Sequence, residues 1–300
     1  MTLSKRSIIL LTIGLIIIVI SAFFGFLFWQ AWSVVNVPNR NYTETPEDFG
    51  ITIYEEFALI TDDNTVIRGW YVPPTRDDGA TIMFLHGHTG NRLDLMSEAL
   101  EFYIRGYGIA LFDFRGRGQS DDAPVTMGVN EVLDAGIVLD YLMEQPDVNP
   151  ERIGVYGFSM GAATAIMLAA ERSDIRVVVA NASYTSFFDL VADRTTGLFG
   201  LPPVIIPEFV VSMTNRLAGV DLNEASPIDS MPSITQPIVF IHGSVDNVID
   251  DPHSEELFDL APFPKLYYRV FAGGHDDSYE NDPEMYVDIV VQFVERHLTN

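Results

Sequence analysis

With 300 residues, 48% of them hydrophobic, the chain is long enough for one domain with a substantial core. A formal net charge of −25 argues against a nucleic-acid partner, since such a surface repels phosphate backbones. With no cysteine there are neither disulfides nor thiol chemistry.

In chain order, Ile8 to Trp29 comes first, an apolar run without a charge. As a helix it spans about 33 Å, enough to cross a bilayer core. Lys5 and Arg6 precede it, and Phe23, Phe24, Phe26, Phe28, Trp29 and Trp32 crowd its far end as an interfacial belt would. The run is long for a cleavable signal, and bulky aromatics occupy the place where small residues would mark cleavage. We expect residues 1–6 in the cytoplasm, a single-pass membrane anchor over 7–32, a polar linker over 33–50, and an extracytoplasmic domain over 51–300. Residues 1–43 contain no acid, so the remainder carries 42 acids against 14 bases.

The domain opens with strand patterns at Ile51–Ile60 and Val66–Val72, separated by the turn residues Asp62-Asp63-Asn64. A strand follows at Ala80–Leu85, then a helix near Leu93–Arg105, a strand near Ile109–Phe112 and a helix near Val129–Met143. Further strands are expected at Arg152–Tyr156, Val177–Ala180, Ile238–Ile241 and Leu266–Val270. Helices fall near Ala162–Ala170, His253–Leu260 and Pro283–Leu298. This alternation predicts an α/β fold with a mainly parallel sheet covered on both faces, whose active residues collect at the strands' carboxyl ends. It stops between Ala180 and Pro237, longer than a crossover needs. A small helical cap at about 183–236 is expected there. Its apolar residues include Phe187, Phe188, Phe199, Leu201, Pro202, Pro203, Val204, Ile205, Ile206, Pro207, Phe209 and Val210. They either line the substrate pocket or pack the cap onto the sheet.

Gly157-Phe158-Ser159-Met160-Gly161 reads G-x-S-x-G between a strand pattern and an Ala-rich helix pattern. That context makes Ser159 the nucleophile of a strand-to-helix elbow. A serine hydroxyl needs a base, and an elbow serine takes its partners in the order Asp or Glu, then His. Asp246 follows the Ile238–Ile241 strand. His275 follows two glycines after the Leu266–Val270 strand. The expected triad is Ser159 as nucleophile, His275 as general base then acid, and Asp246 orienting the imidazole. His86 and His242 end apolar strands before a glycine and read as packing or turn residues, and His297 as a surface residue of the last helix. Asp250 and Asp251 rival Asp246, but Pro252 behind them marks a helix start. For the oxyanion we expect the backbone N–H groups of Met160 and of His88, the latter in the turn that Gly87 permits.

These pieces together resemble an α/β-hydrolase of the serine esterase and serine aminopeptidase type. They are Leu85-His86-Gly87-His88, Asp113-Phe114-Arg115-Gly116-Arg117-Gly118-Gln119-Ser120, the elbow, His242-Gly243-Ser244-Val245-Asp246 and Gly274-His275. The resemblance covers roughly residues 51–299. It implies the α/β-hydrolase fold with a small cap, and a supporting loop at 113–120 in which Asp113 and Arg115 form a bracing ion pair. The expected activity is a carboxylesterase-like serine hydrolase acting on a small-molecule ester. Peptidase or thioesterase action on a peptide-like or thioester substrate, and a non-catalytic membrane-tethered binding protein, are the alternatives. Ser159 at the elbow argues against a dehalogenase, which needs a carboxylate there. No metal cluster, phosphate-cradling loop or dinucleotide fingerprint stands out, so no cofactor or metal is expected. The acidic surface predicts neutral esters over anionic ones, unless Arg92, Arg194 or Arg216 borders the pocket mouth.

Overall fold

The computed structural model describes residues 4–199 and 205–298. One sheet of eight strands runs through the domain, in the order β1-β2-β4-β3-β5-β6-β7-β8. The strands are β1 (Glu55–Ile60), β2 (Val66–Val72), β3 (Thr81–Leu85), β4 (Gly108–Asp113), β5 (Ile153–Phe158), β6 (Ile175–Asn181), β7 (Ile238–Gly243) and β8 (Lys265–Val270). The first two form an antiparallel hairpin, and β2 is also antiparallel to β4. Every other pairing is parallel. The central strands are buried along their whole length because both faces are covered. The first strand begins at Glu55, four residues later than its sequence pattern predicts.

Of the helices, α1 (Lys5–Val35) stands before the domain. Then come α2 (Met96–Tyr103), α3 (Val129–Met143), α4 (Met160–Glu171), α5 (Phe187–Phe199), α6 (Ile205–Ala218), the short α7 (Pro227–Ser230) and α8 (Pro252–Leu260). The chain ends in α9 (Pro283–Tyr286), a π-turn over Val287–Val291, and α10 (Gln292–Leu298). One core cluster joins α3 and α4 to the sheet and also takes in Ile206 and Val210 of α6. The opposite face is sealed by Met96, Ala99 and Phe102 of α2 and by Val294 and Leu298 of α10.

The helix α1 has two parts. Ile8 to Ile20 is exposed apolar surface, and the helix is long and apolar enough to cross a membrane. Leu27, Ala31 and Val35, spaced one turn apart on one stripe, are buried in the domain core. The helix packs on α6, where Phe24 meets Phe209 edge to face at 5.3 Å. It continues past the expected anchor end at residue 32. The expected linker, 33–50, is tied down in its first half. Arg117 donates to the carbonyls of Val37 (3.2 Å) and Pro38 (3.0 Å), Asn39 donates to Gly118 O (2.8 Å), and Tyr42 to Asp113 (2.8 Å).

This packing bears on the cap. Leu201, Pro202, Pro203 and Val204, and the side chains of Phe199 and Ile205, lie outside the described residues. Among the rest, Phe187, Ile206 and Val210 are buried in the shared core, and Phe209 is taken by α1. The apolar residues of the cap that are described therefore pack the cap against α1 and the sheet.

Candidate active site

The elbow is built by close approach. A Cβ on Gly157 would lie 2.1 Å from Gly161 O, and one on Gly161 would lie 2.0 Å from Leu85 O. Only glycine lets α4 leave the strand end so sharply. Ser159 carries the strain between them at φ 54°, ψ −118°. Its own amide is held by Asn181 O at 2.8 Å.

Ser159, Asp246 and His275 come together at the carboxyl ends of β5, β7 and β8. Ser159 Oγ lies 3.0 Å from His275 Nε2 and donates to it. His275 Nδ1–H donates to Asp246 Oδ2 at 2.7 Å. The other carboxylate oxygen, Oδ1, accepts the amides of Val248 (2.8 Å) and Ile249 (3.0 Å). Burial pushes the Asp246 carboxyl up, but hydrogen bonds from His242 and His275 and the Ile249 amide outweigh it and hold it well below the usual carboxylate range. Phe158 packs on the His275 ring at 5.0 Å. Asp250 and Asp251 stay outside this chain of bonds. Asp251 pairs with Arg269 at 2.6 Å.

The two expected oxyanion donors sit on either side of Ser159. Met160 is the first residue of α4, and a Cβ on Gly87 would lie 3.3 Å from Ser159 Cβ, so the His86–Thr89 turn passes beside Ser159. The amides of Met160 and His88 have no acceptor among the described residues. The His88 side chain points away, its Nε2 donating to Val34 O of α1 at 2.7 Å. Burial lowers its pKa to about 4 and keeps the ring neutral.

Sequence reasoning missed several residues of the site. His242 lies buried behind Asp246, with Nε2 2.9 Å from Ile249 O and 3.4 Å from Asp246 Oδ2, and Nδ1 2.7 Å from Ser254 Oγ. Its place four residues before Asp246, at a strand end, was the available signal. Glu98 lines the pocket with one carboxyl oxygen buried and unpartnered, and burial raises its pKa to about 8. It sits on the apolar stripe of α2 between Leu95 and Phe102, an anomaly visible in the periodicity. Arg40 also lines the pocket, paired with Asp94 at 3.1 Å.

Two expectations about charged residues are corrected. Asp113 and Arg115 do not pair with each other. Asp113 accepts Arg92 Nη2 (2.7 Å) and Nε (3.0 Å), and Arg115 forks onto Asp134 and reaches Asp63 at 2.8 Å. Asp113 is satisfied by Arg92 and Tyr42 from outside the loop and by Gln119 N within it, and Arg115 is satisfied from outside. Of the three arginines expected near the mouth, only Arg194 lines the cavity. Arg92 is buried on Asp113, and Arg216 borders a separate surface cleft.

The cavity before Ser159 measures about 840 Å³, within the range of small-molecule sites. It is large enough to hold a small ester beside Ser159. Residues 81–214 match the X-Pro dipeptidyl-peptidase (S15) family. The chain is 29% identical over 281 residues to the Escherichia coli O157:H7 protein called "Uncharacterized protein YfhR", covering 89% of this chain and 92% of that one. It is 26% identical over 273 residues to the Arabidopsis thaliana "Alpha/beta hydrolase domain-containing protein WAV2", covering 86% and 84%. The structure of the Pyrococcus furiosus esterase Pf2001 superposes with a TM-score of 0.71 at 26% identity, over 88% of this chain and 100% of that one. Fold, elbow and these likenesses point one way: the chain has the α/β-hydrolase fold and is similar to that superfamily's hydrolases of the esterase and peptidase kind.

Proposed function

We propose that the protein is a membrane-anchored serine hydrolase that cleaves a carboxylic ester through an acyl-enzyme on Ser159. The observation that carries this is the unbroken chain from Ser159 Oγ through His275 to a buried, ionised Asp246. As Oγ attacks the ester carbonyl carbon, His275 Nε2 takes its proton, and Asp246 holds the imidazole in the tautomer that leaves Nε2 free to accept. The carbonyl oxygen gathers negative charge where the amides of Met160 and His88 converge. Nε2 then returns the proton to the leaving alkoxide, and the acyl group stays on Oγ. Water repeats the sequence and releases the acid. Ser159→Ala should abolish labelling by a fluorophosphonate and remove most turnover of p-nitrophenyl esters, with a residue above the water rate from the oxyanion donors. Labelling that survives the substitution would refute the assignment.

A second reading, an aminoacyl or peptide substrate, is favoured by the S15 match and by Glu98. Its unpartnered carboxyl in the pocket wall would receive a substrate ammonium. Rates on aminoacyl anilides against p-nitrophenyl esters separate the two.

For the anchor, the support is that α1 serves both phases. Cleavage near residue 30 would strip Leu27 from the domain core. Lys5 and Arg6 favour a cytoplasmic N-terminus and an extracytoplasmic domain. Protease added outside intact cells should digest residues beyond Trp32. A catalytic domain that stays protected until lysis reverses the orientation.

A further inference from the structure

The wall of the catalytic cavity includes Ser33 and Val34, which belong to the last turn of α1. The same helix carries the exposed apolar run from Ile8 to Ile20. Between the two lie Phe24, Phe28, Trp29 and Trp32, all exposed. Aromatics of this kind settle at the headgroup level. Ser33 follows Trp29 by four residues, a rise of about 6 Å along the helix. With those aromatics at the headgroup level, the Ser33–Val34 wall of the cavity lies about one helical turn from the membrane surface.

Three contacts make this placement rigid. Leu27, Ala31 and Val35 key the helix into the core. His88, the proposed second oxyanion donor, bonds through its ring to Val34 O at 2.7 Å. Val125 N donates to Val35 O at 3.2 Å. A helix that served only as a tether would need none of these. The cap joins the same boundary, because Phe209 of α6 rests on Phe24. The cavity lining is itself amphiphilic. Val34, Leu95 and Phe158 share it with Arg40, Asn181 and Asp276. An ester with an apolar acyl chain and a polar glycerol end fits such a wall.

We infer that the substrate is a bilayer-resident glycerolipid ester, taken from the membrane surface along the last turn of α1. The inference rests on the serine-hydrolase and anchor readings of the same pocket and helix, and names their substrate class. In the reaction the lipid's acyl group passes to Ser159 Oγ, the glyceride hydroxyl leaves with the proton from His275, and water frees the fatty acid.

The test uses the full-length protein in vesicles of an ether-linked phosphatidylcholine, which offers no ester. Dioleoylglycerol, which barely leaves its bilayer, is placed either in the protein's own vesicles or in separate protein-free ones. Confinement to one surface raises the effective concentration by about 100-fold or more, so oleate release should be faster in the shared bilayer by that order. Hydrolysis of p-nitrophenyl acetate from water should be the same in both arrangements. Equal oleate release from both vesicle populations, or none beside normal p-nitrophenyl acetate hydrolysis, overturns the lipid inference and leaves the hydrolase reading standing. Absence of both p-nitrophenyl acetate hydrolysis and fluorophosphonate labelling overturns the hydrolase reading, and the inference with it. Ser33→Trp, placed in the helix-lined wall, should lower oleate release several-fold more than it lowers the fluorophosphonate labelling rate. An unaltered ratio counts against entry along α1.

Discussion

Asp246 and Glu98 are two buried carboxyls beside one cavity, one ionised and the other neutral. Asp246 accepts two loop amides and the His275 ring, with His242 close behind. It stays ionised although it is buried. Glu98 has one buried oxygen, Oε2, without a hydrogen-bond partner. Burial, with the charges of Glu280 and Asp94 adding to it, pushes its pKa up to about 8. At neutral pH it is a carboxylic acid. Burial alone therefore does not set charge here; the number of donors does. The donors sit where the proposed mechanism needs an anion to steady an imidazolium.

The most damaging way to break the contrast is Asp246→Asn. The shape stays and the charge goes, so His275 loses both its tautomer and its counter-ion. A fall in kcat of about 10⁴-fold is expected, read on a saturating p-nitrophenyl ester. A rate within tenfold of the parent (about one decade) would remove Asp246 from the mechanism. Asp113 extends the comparison to a carboxyl with no catalytic duty. It accepts Arg92, Gln119 N and Tyr42, and Asp113→Ala would leave Arg92 buried and unpaired. The expected loss is about 3–5 kcal/mol of stability, with labelling of Ser159 intact in the fraction that remains folded. Selective loss of labelling in folded protein would give Asp113 a role in the chemistry.

Glu98→Gln tests the neutral member. The folded pKa lies above its ordinary 4.5, so between about 4.5 and 8 the unfolded chain releases a proton that the folded protein keeps. Stability from this group is present below that window and declines through it, by at most about 1.4 kcal/mol per pH unit. The variant lacks the penalty. Its thermal midpoint should gain on the parent steadily from pH 4.5 to 8 and level off above; parallel curves would mean that Glu98 ionises normally. The smallest effect belongs to Arg40→Ala. Burial raises Asp94, and the Arg40 charge offsets it. The pair is partly solvated, so its loss should cost under about 1 kcal/mol. A larger change, insensitive to salt, would show that Asp94 is held as tightly as Asp246.

The parts of the molecule legible in the sequence are those governed by local rules. Apolar runs marked the strands, and the glycines of the elbow marked a turn that no other residue permits. Ser159, Asp246 and His275, which the fold brings together, could be singled out because each follows a strand at its carboxyl end. What stayed hidden depends on contacts between distant segments. Nothing local to Asp113 says that its cation is Arg92, 21 residues back, and not the neighbouring Arg115. Arg40 was unreadable as a pocket residue because the segment bearing it looked like a tether. The described part of the cap is a similar case. Its apolar residues were visible, but their partner, α1, is almost two hundred residues away. Glu98 is the exception, a charge on a helix's apolar stripe that the periodicity exposed and the motif search passed over.

Leu27, Ala31 and Val35 also decide where this protein can be cut. Hydropathy invites a soluble form that starts after the apolar run, at residue 33 or 36. Such a form would lack two or three of these core side chains and leave their sockets on α6 and the sheet open to water. It would be prone to self-association, and cut at residue 36 it would lack one wall of its own active site. Extraction with the helix retained, in a detergent that covers only Ile8 to about Phe23, preserves both. For this chain, solubilisation is a question of what to shield and not of what to remove.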